Sequence, residues 1–282
     1  MDRETQFQEL RPVLFGLAYR MLGSRADAED VVQDAWMRWH ASQDEEVRAP
    51  KSYLTTVVAR LALDQLKSAA RKREAYVGPW LPEPLVAPLG TQPVEMAESL
   101  SLAFLLLLET LSPAERAAFL LREAFDAPYG EIAAVLDTSE ANARQLAARA
   151  RQRIHERRPR FAPDPQRRIE LLQEFLRAST TGNPAQLTSM LAADVALYTD
   201  GGGKVSAALN PIYGADRVAR FFAGLMQKGA LNFDVRFADV NGEPGGVLMQ
   251  DGILRGVFTI ETDEEGKITG IYSVTNPEKL PV

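Results

Sequence analysis

Residues 111–160 read LSPAERAAFLLREAFDAPYGEIAAVLDTSEANARQLAARARQRIHERRPR, and this stretch decides the fold at the centre of the chain. Ser112 and Glu115 belong to a Ser-Pro-x-Glu pattern, a capping box with proline at the first helical position, which predicts the start of a helix. A break at 126–128, a short apolar helix and a turn follow, and Ser139 is placed to cap a third helix. Two short helices joined by a tight turn predict a helix-turn-helix.

The third predicted helix is strongly basic. Segment 139–160 contains seven arginines and two acidic residues, and the arginines surround a narrow apolar line of Ala143, Leu146, Ala150 and Ile154. Such a helix repels itself unless a polyanion lies beside it, and arginine both pairs with phosphates and reads guanine edges. Solvent exposure alone is the plainer interpretation of any single arginine. The capping box, the turn and the basic helix together favour binding to duplex DNA.

Composition bounds the class of protein. The 282 residues indicate two or three domains, and 46% hydrophobic with 25% charged residues is ordinary for a globular chain. The absence of cysteine excludes disulfides and thiolate metal sites. The N-terminal MDRETQFQEL lacks the apolar core of a signal peptide, and the longest apolar run, 102–108, is too short to span a bilayer. We therefore expect a cytoplasmic protein that uses no metal and no cofactor.

Three amphipathic helices are predicted before residue 76, at about 7–21, 25–40 and 51–74. The second buries apolar residues such as Trp39 and presents an acidic, carboxamide-bearing outer face. That face is either simply solvated or a docking surface for a basic partner. The third ends in a basic block, part of which needs no ligand because cations are favoured at a helix C-terminus.

Segment 77–94 is rich in proline and glycine and is predicted to be an extended, semi-stiff linker. It contains Trp-Leu-Pro-Glu-Pro at 80–84, followed by Leu85. A tryptophan and two leucines are unusual in a solvated linker, so we expect them to pack on a neighbouring domain or in a ligand groove.

The chain after Pro165 has a different character. Two helices are followed by segments of alternating hydrophobicity, which are separated by turn sequences such as Asn-Gly and indicate an antiparallel sheet. Helices beside one curved sheet predict an α+β cone with an interior cavity. This part carries 14 acidic and 11 basic residues, so its charge does not indicate nucleic-acid binding.

Two helical modules, one with DAEDVVQDAWMRW and one with SPAERAAFLLREAFDAPYGEIAAVL followed by ARARQRI, resemble the extracytoplasmic-function (ECF) sigma factors of bacterial RNA polymerase. The remaining part resembles the SnoaL-like domains of the nuclear-transport-factor-like fold. Sigma factors with this extension form a group whose marks occur here as WLPEP at 80–84, DGGGK at 200–204 and NPEKL at 276–280. One position departs from the pattern: Asp137 stands where the turn usually carries glycine, and aspartate tolerates the left-handed conformation.

The resemblance implies a division into sigma region 2 at 1–76, the linker at 77–94, sigma region 4 at 95–160 and a SnoaL-like regulatory domain at 165–282. It also implies roles for individual residues. The core-polymerase contacts, on the clamp of the largest subunit, would be Asp30, Gln33, Asp34 and Arg38. The contacts to the melted minus-10 strand would be Arg60, Asp64, Lys67, Arg71 and Arg73, with Tyr53 or Tyr76 available to stack on a base or to sit in a core. The contacts to the minus-35 duplex would be Glu140, Asn142, Arg144, Gln145, Arg149 and Arg153.

The three marks of the extension are expected to meet and to fix the spacing of the two helical modules. The regulatory contacts would be Trp80, Leu81, Pro82, Glu83, Pro84, Asp200, Gly201, Gly202, Gly203, Lys204, Asn276, Pro277, Lys279 and Leu280. Lys204 would pair with Glu83 or with a carboxylate of the cone. Read separately, DGGGK is a flexible turn and NPEKL is a plain tail.

The predicted function is that of a non-enzymatic alternative sigma factor, which binds core RNA polymerase and promoter DNA and is regulated in cis by its C-terminal domain. One alternative is a stand-alone helix-turn-helix regulator with an unidentified small ligand in the C-terminal cavity, which leaves the N-terminal module unexplained. Another is an enzymatic cone that uses an acid and a tyrosine in an apolar pocket. The candidates for that chemistry, Tyr198, Asp200, Tyr213, Asp216 and Asp251, have no spacing signature.

Overall fold

The computed structural model describes residues 2–41, 47, 49–90, 100–157, 165–181 and 184–281, without the side chains of 69–74, 157 and 165. The chain divides into two compact units. The first contains Met1–Ala75 and Leu107–Arg158, and the second contains Tyr76–Leu106 and Pro159–Val282. The described part of the predicted linker, residues 77–90, therefore belongs to the second unit instead of forming a separate spacer.

The helices of the first unit are α1 (Arg3–Leu22), α2 (Arg25–Ala41), α3 (Pro50–Glu74), α4 (Leu102–Glu109), α5 (Pro113–Phe125), α6 (Tyr129–Leu136) and α7 (Glu140–Arg157), with α4 starting in the second unit. Gly23 ends α1 in the left-handed conformation, and the Ser24 hydroxyl accepts a hydrogen bond from the Asp27 amide at the start of α2. The end of α1 and the start of α2 agree with the predicted helices at about 7–21 and 25–40, whereas α1 begins earlier than predicted, at Arg3. Buried Arg116 ties α5 to α1 by donating to the Met21 carbonyl, and it also pairs with Glu109.

The helix-turn-helix forms as the sequence predicts. The Ser112 and Glu115 side chains make the reciprocal hydrogen bonds of a capping box at the start of α5. Asp126 and Asp137 end α5 and α6 with φ of 48° and 50°. Aspartate thus takes the left-handed position in both turns, which confirms that Asp137 can replace glycine there.

The second unit is built on one mixed sheet. Its strands are β1 (Val86–Ala87), β2 (Leu191–Asp200), β3 (Ile212–Tyr213), β4 (Asp234–Val240), β5 (Glu243–Gln250), β6 (Ile253–Thr262) and β7 (Ile268–Val274). Within the described residues they pair in the order β1-β4-β5-β6-β7-β2-β3. The expectation of a purely antiparallel sheet is wrong at one place, because β2 pairs with β7 in parallel. β2 reaches that position through a crossover rather than a hairpin, and a crossover brings strands together in parallel.

Three helices cover one face of this sheet: α8 (Pro165–Thr181), α9 (Pro184–Met190) and α10 (Ala215–Gln227). Phe175 of α8 and Val218 of α10 pack there against Ile260 and Ile271. The other face carries Val257, Tyr272 and Val274, and Leu81 of the linker and Leu102 of α4 pack on it. Among the described residues, no helix has the length and apolar character needed to cross a membrane.

Candidate functional site

Helix α7 is anchored by its apolar line and presents its charged residues outward. Ala143, Leu146, Ala150 and Ile154 are buried against the rest of the helix-turn-helix. The candidate base-reading residues Glu140, Asn142, Arg144 and Gln145 are exposed near the N-terminal end. The Asn142 amide donates to the Ser139 hydroxyl, so the predicted N-cap is confirmed. The exposure of these four side chains is what a groove-reading end of a helix requires.

Four arginines of α7 already have partners within the module. The guanidinium of Arg144 lies 5.0 Å from the ring centroid of Tyr129. Arg151 pairs with Glu123 of α5. Arg149 and Arg153 both pair with Glu115, at 3.5 Å and 3.0 Å. The basic helix is therefore partly neutralised from within, and these four arginine side chains are held by partners of the same module.

The acidic face of α2 is exposed over a firmly packed inner face. Asp30, Gln33, Asp34 and Arg38 are exposed, as predicted for a docking surface. Ala28, Val31, Ala35 and Trp39 are buried beneath them. Met37 is 62% exposed beside these polar residues, which gives the face an apolar contact point as well.

The candidate minus-10 residues lie along α3, where Arg60, Asp64 and Lys67 are exposed. The side chains of Arg71 and Arg73 lie outside the described residues. Arg60 donates to the main-chain carbonyl of Ala134 in α6, at 2.7 Å. The Ser52 hydroxyl of α3 donates to Glu131 of α6, also at 2.7 Å. The helix-turn-helix thus packs directly on the helix that carries the candidate minus-10 residues.

In the second unit, the fully buried carboxylate of Asp200 collects donors from distant parts of the chain. It accepts hydrogen bonds from the Tyr76 hydroxyl at 2.6 Å, the Leu81 amide at 2.8 Å and the Gly202 amide at 3.0 Å. It also pairs with Lys279, whose Nζ lies 2.7 Å away. Full burial of a carboxylate is tolerated because charged and polar donors compensate it.

Lys279 closes this arrangement from the C-terminal side. Its Nζ donates to the Leu81 carbonyl at 2.6 Å and lies 4.6 Å and 4.2 Å from the ring centroids of Tyr76 and Trp80. Asn276 donates to the Tyr76 hydroxyl at 2.8 Å. We call Tyr76, Trp80, Leu81, Asp200, Asn276 and Lys279 the clasp. Within the clasp, the Lys279 ammonium is thus held by the Asp200 carboxylate, the Leu81 carbonyl and the ring faces of Tyr76 and Trp80.

The three glycines after Asp200 allow this close packing. Gly202 has φ of 59°, and a Cβ there would lie 2.2 Å from the Asn276 amide nitrogen. Gly203 has φ of 70° and faces Val77 of the linker. Lys204 pairs with Glu278 at 2.9 Å, a partner from the tail rather than Glu83. The DGGGK turn therefore receives both the linker and the tail.

The remaining predicted regulatory residues differ in burial. Leu81, Pro82 and Pro84 are buried, and Trp80, Glu83, Leu85 and Leu280 are partly buried, whereas Pro277 is exposed. Leu85 is held at both ends, because its amide donates to the Asn241 side chain and its carbonyl accepts from the Asn241 amide. The sequence shows Asn241 only as part of an Asn-Gly turn. Its contact with the linker could not be foreseen from that signal.

The sequence leaves Tyr76 either to stack on a base or to sit in a core, and the structure places it in the clasp. Burial, the hydrogen bond to Asp200 and the negative charge of Asp200 raise its pKa well above the ordinary tyrosine value. It therefore remains a hydrogen-bond donor within the clasp. Tyr53 contacts the Trp39 ring at 5.8 Å between centroids in the first unit.

The residues considered for an enzymatic cone have other environments. Asp200 is committed to the clasp, and Tyr198 stacks on Tyr272 with 5.5 Å between ring centroids. Asp216 pairs with Arg220 on an exposed helix surface. Asp251 occupies a turn with φ of 52°, and Tyr213 is 54% exposed. Contacts therefore account for Asp200, Tyr198 and Asp216, and a turn conformation accounts for Asp251.

Comparison with known proteins assigns the modules. Residues 6–72 match the family model Sigma-70 region 2, and residues 101–154 match Sigma-70, region 4. The chain is 41% identical to the ECF RNA polymerase sigma factor SigJ of Mycobacterium tuberculosis (strain ATCC 25618 / H37Rv), over 98% of this chain and 92% of that protein. It is 32% identical to the probable ECF RNA polymerase sigma factor SigI of the same organism, over 96% and 92%.

A solved structure extends the similarity to the whole fold. The crystal structure of Mycobacterium tuberculosis extracytoplasmic function sigma factor SigJ matches with a TM-score of 0.78 and 37% identity, covering 98% of this chain and 97% of that one. The match includes the second unit with its mixed sheet, as predicted for a SnoaL-like domain. With both sigma-70 regions and a full-length relative at this identity, the chain belongs to the ECF RNA polymerase sigma factors, and it carries a C-terminal SnoaL-like extension.

Proposed function

We propose that this protein joins core RNA polymerase through the outer face of α2, takes the melted minus-10 strand along α3 and reads the minus-35 duplex with α7. The observation that carries the proposal is that one chain holds both sigma-70 regions, each with the relevant polar face exposed. A stand-alone helix-turn-helix regulator would need only the second region. Sigma region 2 accounts for the first three helices, which that alternative leaves unexplained.

The test is transcription with purified components. Genomic DNA that surrounds candidate promoters is incubated with core polymerase alone, with the protein alone, or with both. The transcript start sites are then mapped. We expect specific starts only from the combination, with shared elements near positions minus-35 and minus-10. Binding of the protein to defined operators without core, and no new start with core, would instead support the stand-alone regulator.

We propose further that the second unit regulates the sigma activity in cis through the clasp. The clasp holds the first part of the segment that connects region 2 to region 4, since Tyr76, Trp80 and Leu81 belong to that part. Both regions must engage promoter elements together, and the tether between them sets their effective concentration. A change at the clasp would therefore change promoter engagement without altering any DNA-contacting residue.

The comparison for this proposal uses three proteins on one mapped promoter: full length, Trp80→Ala and a truncation before Asn276. We expect altered output from both changed proteins, with the helical content of the sigma modules unchanged by circular dichroism. Equal output from all three proteins would reduce the extension to a passenger domain.

A further inference from the structure

Glu115 is unusual among the acidic residues of the helix-turn-helix because it is almost completely buried. Its side chain is 7% exposed, whereas that of Glu123, the other α5 acid paired with an α7 arginine, is 39% exposed. Two hydrogen bonds fix the carboxylate from behind: the Ser112 amide and the Ser112 hydroxyl donate to Oε2 at 3.0 Å and 2.8 Å. The carboxylate therefore has one defined position in the module.

Burial alone would raise the pKa of Glu115. The hydrogen bonds from Ser112 and the charges of Arg153 and Arg149 outweigh that effect and lower the pKa below its ordinary value. Glu115 is thus ionised at neutral pH. Its negative charge faces two basic residues of the recognition helix.

Arg149 and Arg153 are four residues apart and lie on the same side of α7. Arg153 donates through Nη1 to Glu115 Oε2 at 3.0 Å, and Arg149 Nε lies 3.5 Å from Oε1. Both side chains are still about half exposed, at 51% and 54%. A guanidinium has five N–H donors, so each arginine keeps donors for another acceptor while one side is held.

We infer that Glu115 is a positioning residue for minus-35 recognition: it holds Arg149 and Arg153 in the orientation in which their remaining donors meet the DNA backbone. Phosphate contacts fix the register and angle of a recognition helix, and base contacts near its N-terminal end depend on that register. Glu115 therefore acts on sequence discrimination without touching DNA. The inference rests on the proposed assignment of α7 to the minus-35 duplex.

The informative variant is Glu115→Gln. Glutamine also serves at this position of a capping box, so the start of α5 is preserved while the charge that holds the arginines is removed. Glu123→Gln is the matched control, since it makes the same charge change and releases Arg151 from an exposed pair. Thermal unfolding of both variants establishes that the module remains folded.

The measurement is the ratio of holoenzyme affinities for a mapped promoter duplex and for the same duplex with a scrambled minus-35 element, over a range of salt concentrations. We expect Glu115→Gln to lower this ratio by about fivefold or more. Glu123→Gln should raise both affinities at low salt and leave the ratio unchanged, because added positive charge strengthens binding to any sequence. In a background of Arg149→Ala and Arg153→Ala, the effect of Glu115→Gln on the ratio should disappear.

An unchanged ratio in Glu115→Gln overturns the inference, as does an equal fall in Glu115→Gln and Glu123→Gln. A fall in the ratio that persists without the two arginines also overturns it, because Glu115 would then act by another route. If the unaltered holoenzyme itself fails to distinguish the two duplexes, the assignment of α7 to the minus-35 element is wrong, and that result is separate from the others.

Discussion

At the scale of single residues, two lysines of neighbouring motifs make ion pairs with very different surroundings. Lys279 and Asp200 are 8% and 0% exposed in their side chains, whereas Lys204 and Glu278 are 53% and 66% exposed. Removing one partner of a buried pair leaves an uncompensated charge, which costs about 3–5 kcal/mol. An exposed pair contributes only about 0–1 kcal/mol.

We therefore expect Lys279→Met to lower the free energy of unfolding of the second unit by about 3–5 kcal/mol. Lys204→Met, with the same change of charge, should lower it by less than about 1 kcal/mol. Urea unfolding monitored through Trp80 fluorescence, with Trp36 and Trp39 replaced by phenylalanine in all proteins, measures the difference. Equal effects of the two changes would contradict the assignment of Lys279 to the clasp.

Glu261 gives the sheet a pH dependence. Burial raises its pKa to about 7, although a hydrogen bond from Tyr272, at 2.7 Å, and the charge of Arg168 oppose that rise. The folded state therefore holds a proton that the unfolded chain releases at lower pH. The contribution of Glu261 to stability is thus greatest below the ordinary pKa of glutamate and falls as pH rises toward 7.

The predicted result is faster hydrogen exchange of β6 and β7 amides at pH 7.5 than at pH 5, after correction for the intrinsic exchange rates. Glu261→Gln removes the titrating group and should flatten this difference. Glu265→Gln, an exposed acid in the turn after β6, is the control that should leave the difference in place. A difference that survives in Glu261→Gln would show that another group is responsible.

At the scale of elements, the outer face of α2 is the candidate docking surface. Exposed charges contribute little to folding, so Asp30→Lys with Asp34→Lys should leave thermal stability within about 1 kcal/mol. The same change should weaken binding to core polymerase by at least about tenfold, because like charges then face a basic partner. Pull-down titration with core polymerase measures the affinity.

The control is Glu264→Lys with Glu265→Lys, which makes the same charge change on exposed residues of the second unit. Equal core binding by the unaltered protein, the α2 variant and the control variant would remove α2 from the interface.

The packing of α3 on α6 has a consequence for promoter binding. Elements centred near minus-10 and minus-35 are separated by about 25 base pairs, or roughly 85 Å at about 3.4 Å per pair. Under the proposed assignment, α3 takes the minus-10 strand and the helix-turn-helix reads the minus-35 duplex, so modules joined through the Ser52–Glu131 and Arg60–Ala134 contacts could not reach both elements at once. We therefore expect this contact to open when the two elements are engaged together.

The chain has no cysteine, so Ser52→Cys with Glu131→Cys introduces a single pair of thiols. Joining them with a short bismaleimide should reduce transcription from a two-element promoter by about tenfold or more, since the open arrangement becomes inaccessible. Each single-cysteine protein, treated in the same way, should keep full output. Undiminished transcription by the cross-linked protein would show that opening is not required.

The elements themselves could be predicted where the determining signals are local. Capping at Ser112, Ser24 and Ser139 depends on residues three positions away, and all three caps form. The clasp could be anticipated only as a meeting of motifs. Its hydrogen bonds join Tyr76 to Asp200, which is 124 positions later, and to Asn276, which is 200 positions later. No local pattern specifies which atoms meet at such separations. For the same reason, nothing in the sequence showed that Glu115 would hold two arginines of α7.

At the scale of the whole molecule, the chain alternates between the two units. The chain leaves the first unit after Ala75, passes through the second as Tyr76–Leu106, and returns to the first at Leu107. The described first part of the connection between sigma regions 2 and 4, residues 77–90, is therefore part of a folded unit. A fixed connection restricts the separations that the two regions can adopt, whereas a released one behaves as a longer flexible tether.

We expect this restriction to appear as a preference for one spacer length between the promoter elements. Full-length protein should give a sharp optimum on promoters whose spacer is lengthened or shortened by one or two base pairs. Truncation before Asn276 removes Asn276 and Lys279 from the clasp, so the optimum should broaden. Transcription from the promoter with the best spacer should fall roughly threefold, which corresponds to an added loop-closure cost of about 0.6 kcal/mol.

Lys204→Met, which breaks an exposed pair in the same region, should keep the sharp optimum. A truncated protein with an unchanged spacer profile would show that the clasp does not set the reach of the two regions, and that the second unit influences transcription by some other route.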